Sequence, residues 1–382
     1  MELPERPGPL PFSRVGVGGW EAGGAEWGPN RSDAQVLRAI LAGIDAGSTW
    51  VDTAEVYGEG RSEELVGRAI RARSRVAVST KVAPRPLGTG FRAPEVRRAC
   101  EGSLRRLGVE VVDLYQLHHP GPDGAPIEET WEAMALLVED GLVRRIGLSG
   151  FGRGLVARCV RVHPVASLQV HLSLLHPETL PVLSWCADRG IEGLAFGALG
   201  FGLLAGAGEI FFDWRSGSDL PYYRQLFTPS RLQRCLAVSR GVGESAARLG
   251  VSPSRLSLAW ALHQPGVSAV LAGTRDPSHA RENAAAAEVE LDAAVLAELW
   301  ALAERGPAFE GAAPEVRLGL PADRAAEHPE TLALQLDGGT GPQELPEVET
   351  ASASERSRAV HVAGPDVFSS RDVRDHLREA PA

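Results

Sequence analysis

Four side chains of different chemistry fall at the ends of three successive apolar runs. Asp52 ends the second run and leads through Thr53-Ala54-Glu55-Val56 to Tyr57. Lys81 closes Val76-Ala77-Val78-Ser79-Thr80-Lys81, and His118 follows Leu114-Tyr115-Gln116-Leu117. Tyrosine is a poor acid at neutral pH, with a pKa of about 10. A neighbouring ammonium stabilises the tyrosinate and lowers that value. A carboxylate beside the lysine keeps it oriented and charged, and an imidazole can hydrogen-bond to a carbonyl oxygen. Together they make a general-acid site suited to carbonyl reduction, with Tyr57 as proton donor. The hydride must come from a cofactor, because no side chain supplies one.

Lys81 is the only lysine in the chain, among many arginines. Its place calls for a compact ammonium that can change its pKa, which the planar, permanently charged guanidinium is not. Taken singly, each residue has an ordinary reading. A strand-end aspartate often caps a loop, a tyrosine can be a rim aromatic, and a histidine can be a satisfied core residue. The combination at three consecutive strand ends is what carries the reading.

The elements that would position them alternate regularly. Strands are predicted over 14–18, 49–52, 76–81, 111–117, 143–148, 166–170, 191–196 and 268–272. Helices are predicted over 33–46, 61–72, 94–107, 128–140, 153–162, 177–189, 231–249 and 277–287. The strands are near-continuous apolar runs, which suits parallel strands covered on both faces. Ser32-Asp33 signals a helix start and Gly47 a stop, and Pro94 suits a first helical turn. Eight βα repeats favour a closed (β/α)₈ barrel over an open sheet, with chemistry at the C-terminal strand ends. An extra helix over 253–263 and a long aromatic-bearing loop over 205–230 decorate this plan. The barrel is assigned to residues 1–306, and residues 307–382 to a largely disordered or loosely structured acidic extension.

Composition narrows the function classes. The chain has 382 residues and a net charge of −10. Residues 308–382 alone carry −7 of that, so the barrel is close to neutral. An acidic chain is a poor partner for nucleic acid or anionic membrane. No apolar run approaches the roughly 18 residues of a membrane span. The widely spaced Cys100, Cys159, Cys186 and Cys235 form no CxxC pair and read as reduced thiols. With no signal-peptide pattern at the N-terminus, a cytoplasmic protein is expected. The expected partner is a small carbonyl substrate.

Several stretches resemble the aldo-keto reductase family, in its bacterial and potassium-channel-β-like branch. They are Val51 to Gly58 (VDTAEVYG), Ser62 to Gly67 (SEELVG), Ser79 to Val82 (STKV) and Asp113 to His118 (DLYQLH). Gly18-Gly19-Trp20 and Trp27-Gly28 also resemble the family's first-strand region. The resemblance spans about residues 10 to 300. It implies a single TIM barrel that binds NADPH in extended form, with Tyr57 as acid supported by Asp52, Lys81 and His118. It also implies a carboxamide site from Ser149 and Gln169, where Gly150 replaces the family's asparagine. Phe196 stands where a tyrosine usually stacks on the nicotinamide.

By the same resemblance, Gly197 and Leu199, with Gly202-Leu203-Leu204 and Gly206, form the stretch that folds over the pyrophosphate. Gly273, Thr274, Arg275, His279, Glu282 and Asn283 hold the adenosine and its 2′-phosphate, and Arg275 favours NADPH over NADH. Gly19 and Trp20 complete the cofactor set. Trp20, Trp27, Tyr57, His118 and His119 are the candidates for substrate contact.

Other patterns are weaker. Gly200-Phe201-Gly202-Leu203-Leu204-Ala205 and Gly241 to Ala246 both fit G-x-G-x-x-A, but neither lies in a first βαβ unit. Gly147-Leu148-Ser149-Gly150-Phe151 lacks the second glycine of a nucleophile elbow. His118 and His119 are expected on opposite faces, so no metal is assigned. Two functions follow. One is an NADPH-dependent reductase of an aldehyde or ketone, with a sugar or a ring-bearing secondary metabolite as substrate. The other is a cofactor-binding regulatory barrel with little turnover, of the potassium-channel-β kind.

Overall fold

The computed structural model describes residues 10–24, 27, 31–83, 92–120, 126–206 and 229–306. Eight parallel strands pair in chain order and close into a barrel. They are β1 (Val15–Gly18), β2 (Trp50–Asp52), β3 (Ala77–Val82), β4 (Leu114–Leu117), β5 (Ile146–Ser149), β6 (Ser167–His171), β7 (Glu192–Phe196) and β8 (Val267–Gly273). The (β/α)₈ expectation is met strand for strand. All of the acidic extension, 307–382, and most of the 205–230 loop lie outside the described residues.

The helices are α1 (Trp20–Gly23), α2 (Asp33–Asp45), α3 (Arg61–Arg71), α4 (Ala93–Leu107), α5 (Ile127–Glu139), α6 (Arg153–Val162), α7 (Leu180–Ala187), α8 (Pro229–Leu249), α9 (Pro253–Leu262), α10 (Pro277–Ala284) and α11 (Ala293–Ala303). The start of α2 is a capping box. Ser32 Oγ accepts from the Gln35 amide at 3.4 Å, and Gln35 Oε1 accepts from the Ser32 amide at 3.0 Å. Both orphan donors are thereby satisfied. Helix α9 is the expected extra helix between β7 and β8. Helices α1 and α11 were not foreseen. In α11 the alanine-, leucine- and tryptophan-rich run Ala293 to Ala303 offers no polar face to betray a period.

The barrel is sealed at its N-terminal end by an apolar plug. Trp50 stacks on Phe12 with ring centroids 4.2 Å apart, among Leu114, Leu194, Ala269 and Leu271. Gly16 makes room for this indole, since a Cβ there would lie 2.3 Å from the Trp50 ring. Access to the interior is thus left to the opposite end, where the strands finish.

Candidate active site

The end of β3 delivers Lys81 into the barrel, fully buried. Its Nζ is paired with Asp52 Oδ1 at the end of β2, and it donates to the Thr53 carbonyl at 2.9 Å. The third direction of the ammonium is Tyr57 Oη, at 3.5 Å. His118 Nε2 lies 3.4 Å from the same phenol oxygen. The four residues singled out in the sequence therefore converge on one hydroxyl. Burial draws Lys81 below its usual range, while the Asp52 carboxylate pulls the other way. Burial and the nearby Lys81 charge hold His118 well below its ordinary value, so it is neutral at pH 7.

Asp52 is braced more heavily than the sequence suggests. Its Oδ2 accepts from Ser79 Oγ at 2.9 Å, Gln169 Nε2 at 3.1 Å and Gln116 Nε2 at 3.4 Å. Gln116 also donates to Ser79 Oγ at 2.9 Å. Ser79 and Gln116 were missed. Strand alternation could have found Ser79, which lies two residues before Lys81 on β3 and so points to the same face. Gln116 is the register partner of Lys81 across β3 and β4, a neighbour that the sequence does not announce.

Beside β3 lies a second buried carboxylate. Glu63 of α3 accepts from Thr80 Oγ1 at 2.6 Å and from Arg106 Nε at 2.5 Å. Glu55 accepts from the Ala83 amide at 2.9 Å. These bonds fix the strand end that aims Lys81.

A rim of rings surrounds the phenol. Trp20 lies 6.2 Å from Tyr57, nearly parallel, and Trp27 meets Trp20 edge-on at 5.1 Å. The rings of His118 and His119 are 5.5 Å apart. This corrects the expectation that they face opposite ways: β4 ends at Leu117, and alternation does not extend past it. Among the described residues no group of three or more His, Cys, Asp or Glu could hold a metal ion. The four cysteines are buried and free.

Known proteins resemble this chain over most of its length. The model of the aldo/keto reductase family matches residues 14–304. The chain belongs to the aldo/keto reductase family. It is 35% identical over 276 residues to Aldo-keto reductase YhdN of Bacillus subtilis, covering 69% of this chain and 82% of that one. It is 30% identical to Aldo-keto reductase str7 of Strobilurus tenacellus, covering 78% of this chain and 93% of that one. A solved aldo/keto reductase from Klebsiella pneumoniae, in complex with NADP and acetate, superposes with a TM-score of 0.61 at 29% identity. It covers 81% of this chain and 95% of the other.

The residues assigned to an aldo-keto reductase cofactor by resemblance are spread over the β1–α1 junction, β5 to β8 with the turns that follow them, and α10. Ser149 ends β5, and the Gly150 amide donates to the Gln169 carbonyl at 2.8 Å. Phe196 ends β7 with its ring 5.4 Å from His171. Gly197, Gly202 and Gly206 all have left-handed backbones, and Gly197 leaves no room for a Cβ, which would fall 2.1 Å from His171. The carbonyls of Leu203 and Leu204 accept from Ser239 and Ser257, at 2.5 and 3.1 Å. Leu199 caps this turn at its start.

After β8, Arg275 donates to the Trp27 carbonyl, and Thr274 Oγ1 accepts from the Asp276 amide at 3.1 Å. The His279 amide donates to Asp276 at the start of α10, and Asn283 is buried. Glu282 is turned to α9, accepting from Ser252 at 2.8 Å and Arg255 at 3.1 Å. Gly19 donates its amide to the Asp52 carbonyl at 2.7 Å, locking the base of Trp20 to β2.

Proposed function

We propose that the protein is an NADPH-dependent reductase of aldehydes or ketones in which Tyr57 protonates the carbonyl oxygen. The observation that carries this is the single phenol oxygen lying within 3.5 Å of both Lys81 Nζ and His118 Nε2. The Klebsiella relative was solved with NADP, which supports the same cofactor here.

The residues present fit a dinucleotide with a carboxamide head. Gln169 Nε2 is pinned by Asp52, which turns Oε1 away as an acceptor for an amide N–H, and the Ser149 hydroxyl stands on the adjoining strand. Phe196 offers a ring for stacking, and Arg275 a fork for phosphate oxygens. When bound, the reduced nicotinamide supplies the hydride.

The chain's own residues do the rest. Neutral His118 can donate a hydrogen bond to the substrate oxygen and orient it. Tyr57 gives that oxygen a proton. The Lys81 ammonium stabilises the tyrosinate left behind, and Asp52 holds Lys81 in place with Ser79, Gln116 and Gln169 behind it.

The test is Tyr57→Phe. NADPH consumption with an aldehyde should fall about 10²- to 10⁴-fold, the usual worth of a positioned acid. NADPH binding, followed by fluorescence, should persist. A variant that reduces carbonyls at the parent rate removes Tyr57 from the mechanism.

A further inference from the structure

Among the described residues, the side chains around the Tyr57 hydroxyl are mostly rings, and they come from different elements. Trp20 lies at 25° to Tyr57, and Trp27 stands perpendicular to Trp20. Phe201, after β7, lies 6.3 Å from Trp27 at 23° and 6.2 Å from Trp20 at 81°. On the other side stand His118, edge-on to Tyr57 at 5.5 Å, and His119. Trp20, Trp27, Tyr57, His118 and His119 are all partly exposed, whereas Lys81 and Asp52 are buried. An entering molecule meets ring faces and edges.

None of these five side chains is a cation at neutral pH. Burial lowers both His118 and His119 from the ordinary imidazole range. The one ammonium is committed to Asp52 and the Thr53 carbonyl. A carboxylate or phosphate on the substrate would lose water and find no counter-charge among these groups. The several hydroxyls of a sugar would meet rings that offer only one or two hydrogen-bonding atoms each, too few to replace all their bonds to water. A flat ring loses little solvation and gains stacked or edge-on contacts.

Phe201 is the unusual member. Its φ of 59° lies in the left-handed region, which a bulky side chain disfavours. Gly200 and Gly202 on either side are left-handed too, at 54° and 94°. The backbone thus turns a nearly buried phenylalanine against Trp27 at a position where glycine would be unstrained. Strain kept at a site rim points to use.

We propose that the substrate is an uncharged aromatic aldehyde or ketone seated against Trp20 and Trp27, and that Phe201 is a positioning residue that sets this preference by propping Trp27. The proposal rests on the reductase reading above and names its substrate class.

The test uses the full chain with NADPH and four aldehydes. Benzaldehyde and cyclohexanecarbaldehyde differ in aromaticity at similar size. 4-Carboxybenzaldehyde adds a charge to the same ring, and glyceraldehyde replaces the ring with hydroxyls. The expected kcat/KM for benzaldehyde is at least tenfold above each of the other three. Trp27→Ala should collapse the benzaldehyde-to-cyclohexanecarbaldehyde ratio toward one. Phe201→Ala should raise KM for benzaldehyde about tenfold with kcat changed far less, and Phe201→Tyr should restore it. Should Phe201→Ala fail to fold, the wild-type panel and Trp27→Ala decide alone.

Preference for glyceraldehyde or 4-carboxybenzaldehyde overturns the substrate class and leaves the reductase reading standing. So does a ratio that Trp27→Ala leaves unchanged. Absence of NADPH oxidation with all four aldehydes overturns both.

Discussion

Gln169 of β6 reaches across the barrel to donate its amide to Asp52 Oδ2 of β2, at 3.1 Å. The residue assigned to the nicotinamide carboxamide thereby also braces the carboxylate that holds Lys81. The carboxylate fixes which end of the Gln169 amide faces inward, because only Nε2 can donate to it.

Replacing Gln169 should therefore disturb binding and stability together. Gln169→Leu removes a hydrogen bond to a buried charged group, a loss of about 1.5–3 kcal/mol. Urea unfolding should show that decrease, and NADPH titration should show weaker binding by about tenfold, equivalent to about 1.4 kcal/mol. Gln169→Glu should be worse on both counts, because it sets a second carboxylate against Asp52. Wild-type NADPH affinity in Gln169→Leu would separate Gln169 from the cofactor.

Lys81→Arg keeps the charge and tests the need for an ammonium. The site is fully buried and its three directions are taken by Asp52, Thr53 and Tyr57. A guanidinium is larger and planar, and cannot meet those three partners from the Nζ position. Activity should fall by about 10²-fold or more. Overpacking should cost about 1–3 kcal/mol of stability. Full turnover by the variant would make the lone lysine an accident of composition.

Much of this was legible in the sequence, for identifiable reasons. The strands are near-continuous runs of valine, isoleucine and leucine, so a parallel barrel showed in the pattern. Lys81 stood out because arginine fills every other long basic position. What escaped notice depends on three-dimensional neighbours. The Thr53 carbonyl that accepts from Lys81 is main chain and carries no sequence signal. Phe201 looked like the x of a glycine pattern, because nothing in sequence announces a left-handed phenylalanine. His118 and His119 were separated by a strand periodicity that stops one residue too early.

Gly150 offers a gain-of-function test. The family places an asparagine here, and the backbone at Gly150 has φ of 73°. Asparagine tolerates that conformation better than most residues. A Cβ would meet only ordinary contacts, 3.7 Å from the His118 carbonyl and 3.9 Å from His119 Cβ. Gly150→Asn should add one hydrogen bond, worth about 1 kcal/mol. NADPH dissociation constants measured by titration should fall about fivefold. At Gly197 the same logic reverses: Gly197→Ala drives a Cβ to 2.1 Å from His171, so its melting temperature should drop.

Stability should decline on mild acidification, and His171 is the clearest cause. It is buried, and burial together with neighbouring His176 holds its pKa well below the usual imidazole value. His176 is itself 2.9 Å from Glu178, and the contact of His171 with the Gly197 backbone opposes the shift. His118 and His119 are lowered as well.

Below about pH 6.5 the unfolded chain takes up protons at these positions and the native protein does not. Their contribution is complete above that pH and is lost as pH falls toward the depressed native values. Each such proton changes stability by up to about 1.4 kcal/mol per pH unit. Glu21 acts oppositely. Burial pushes its carboxyl up to about 7, so the native protein holds a proton between about pH 4.5 and 7 that the unfolded chain has released. One such group offsets only part of three histidines. Melting temperatures measured from pH 7.5 to 5 should therefore fall, less steeply in His171→Gln and more steeply in Glu21→Gln. A profile that stays flat, or that both variants leave unaltered, contradicts the assignment of buried neutral imidazoles.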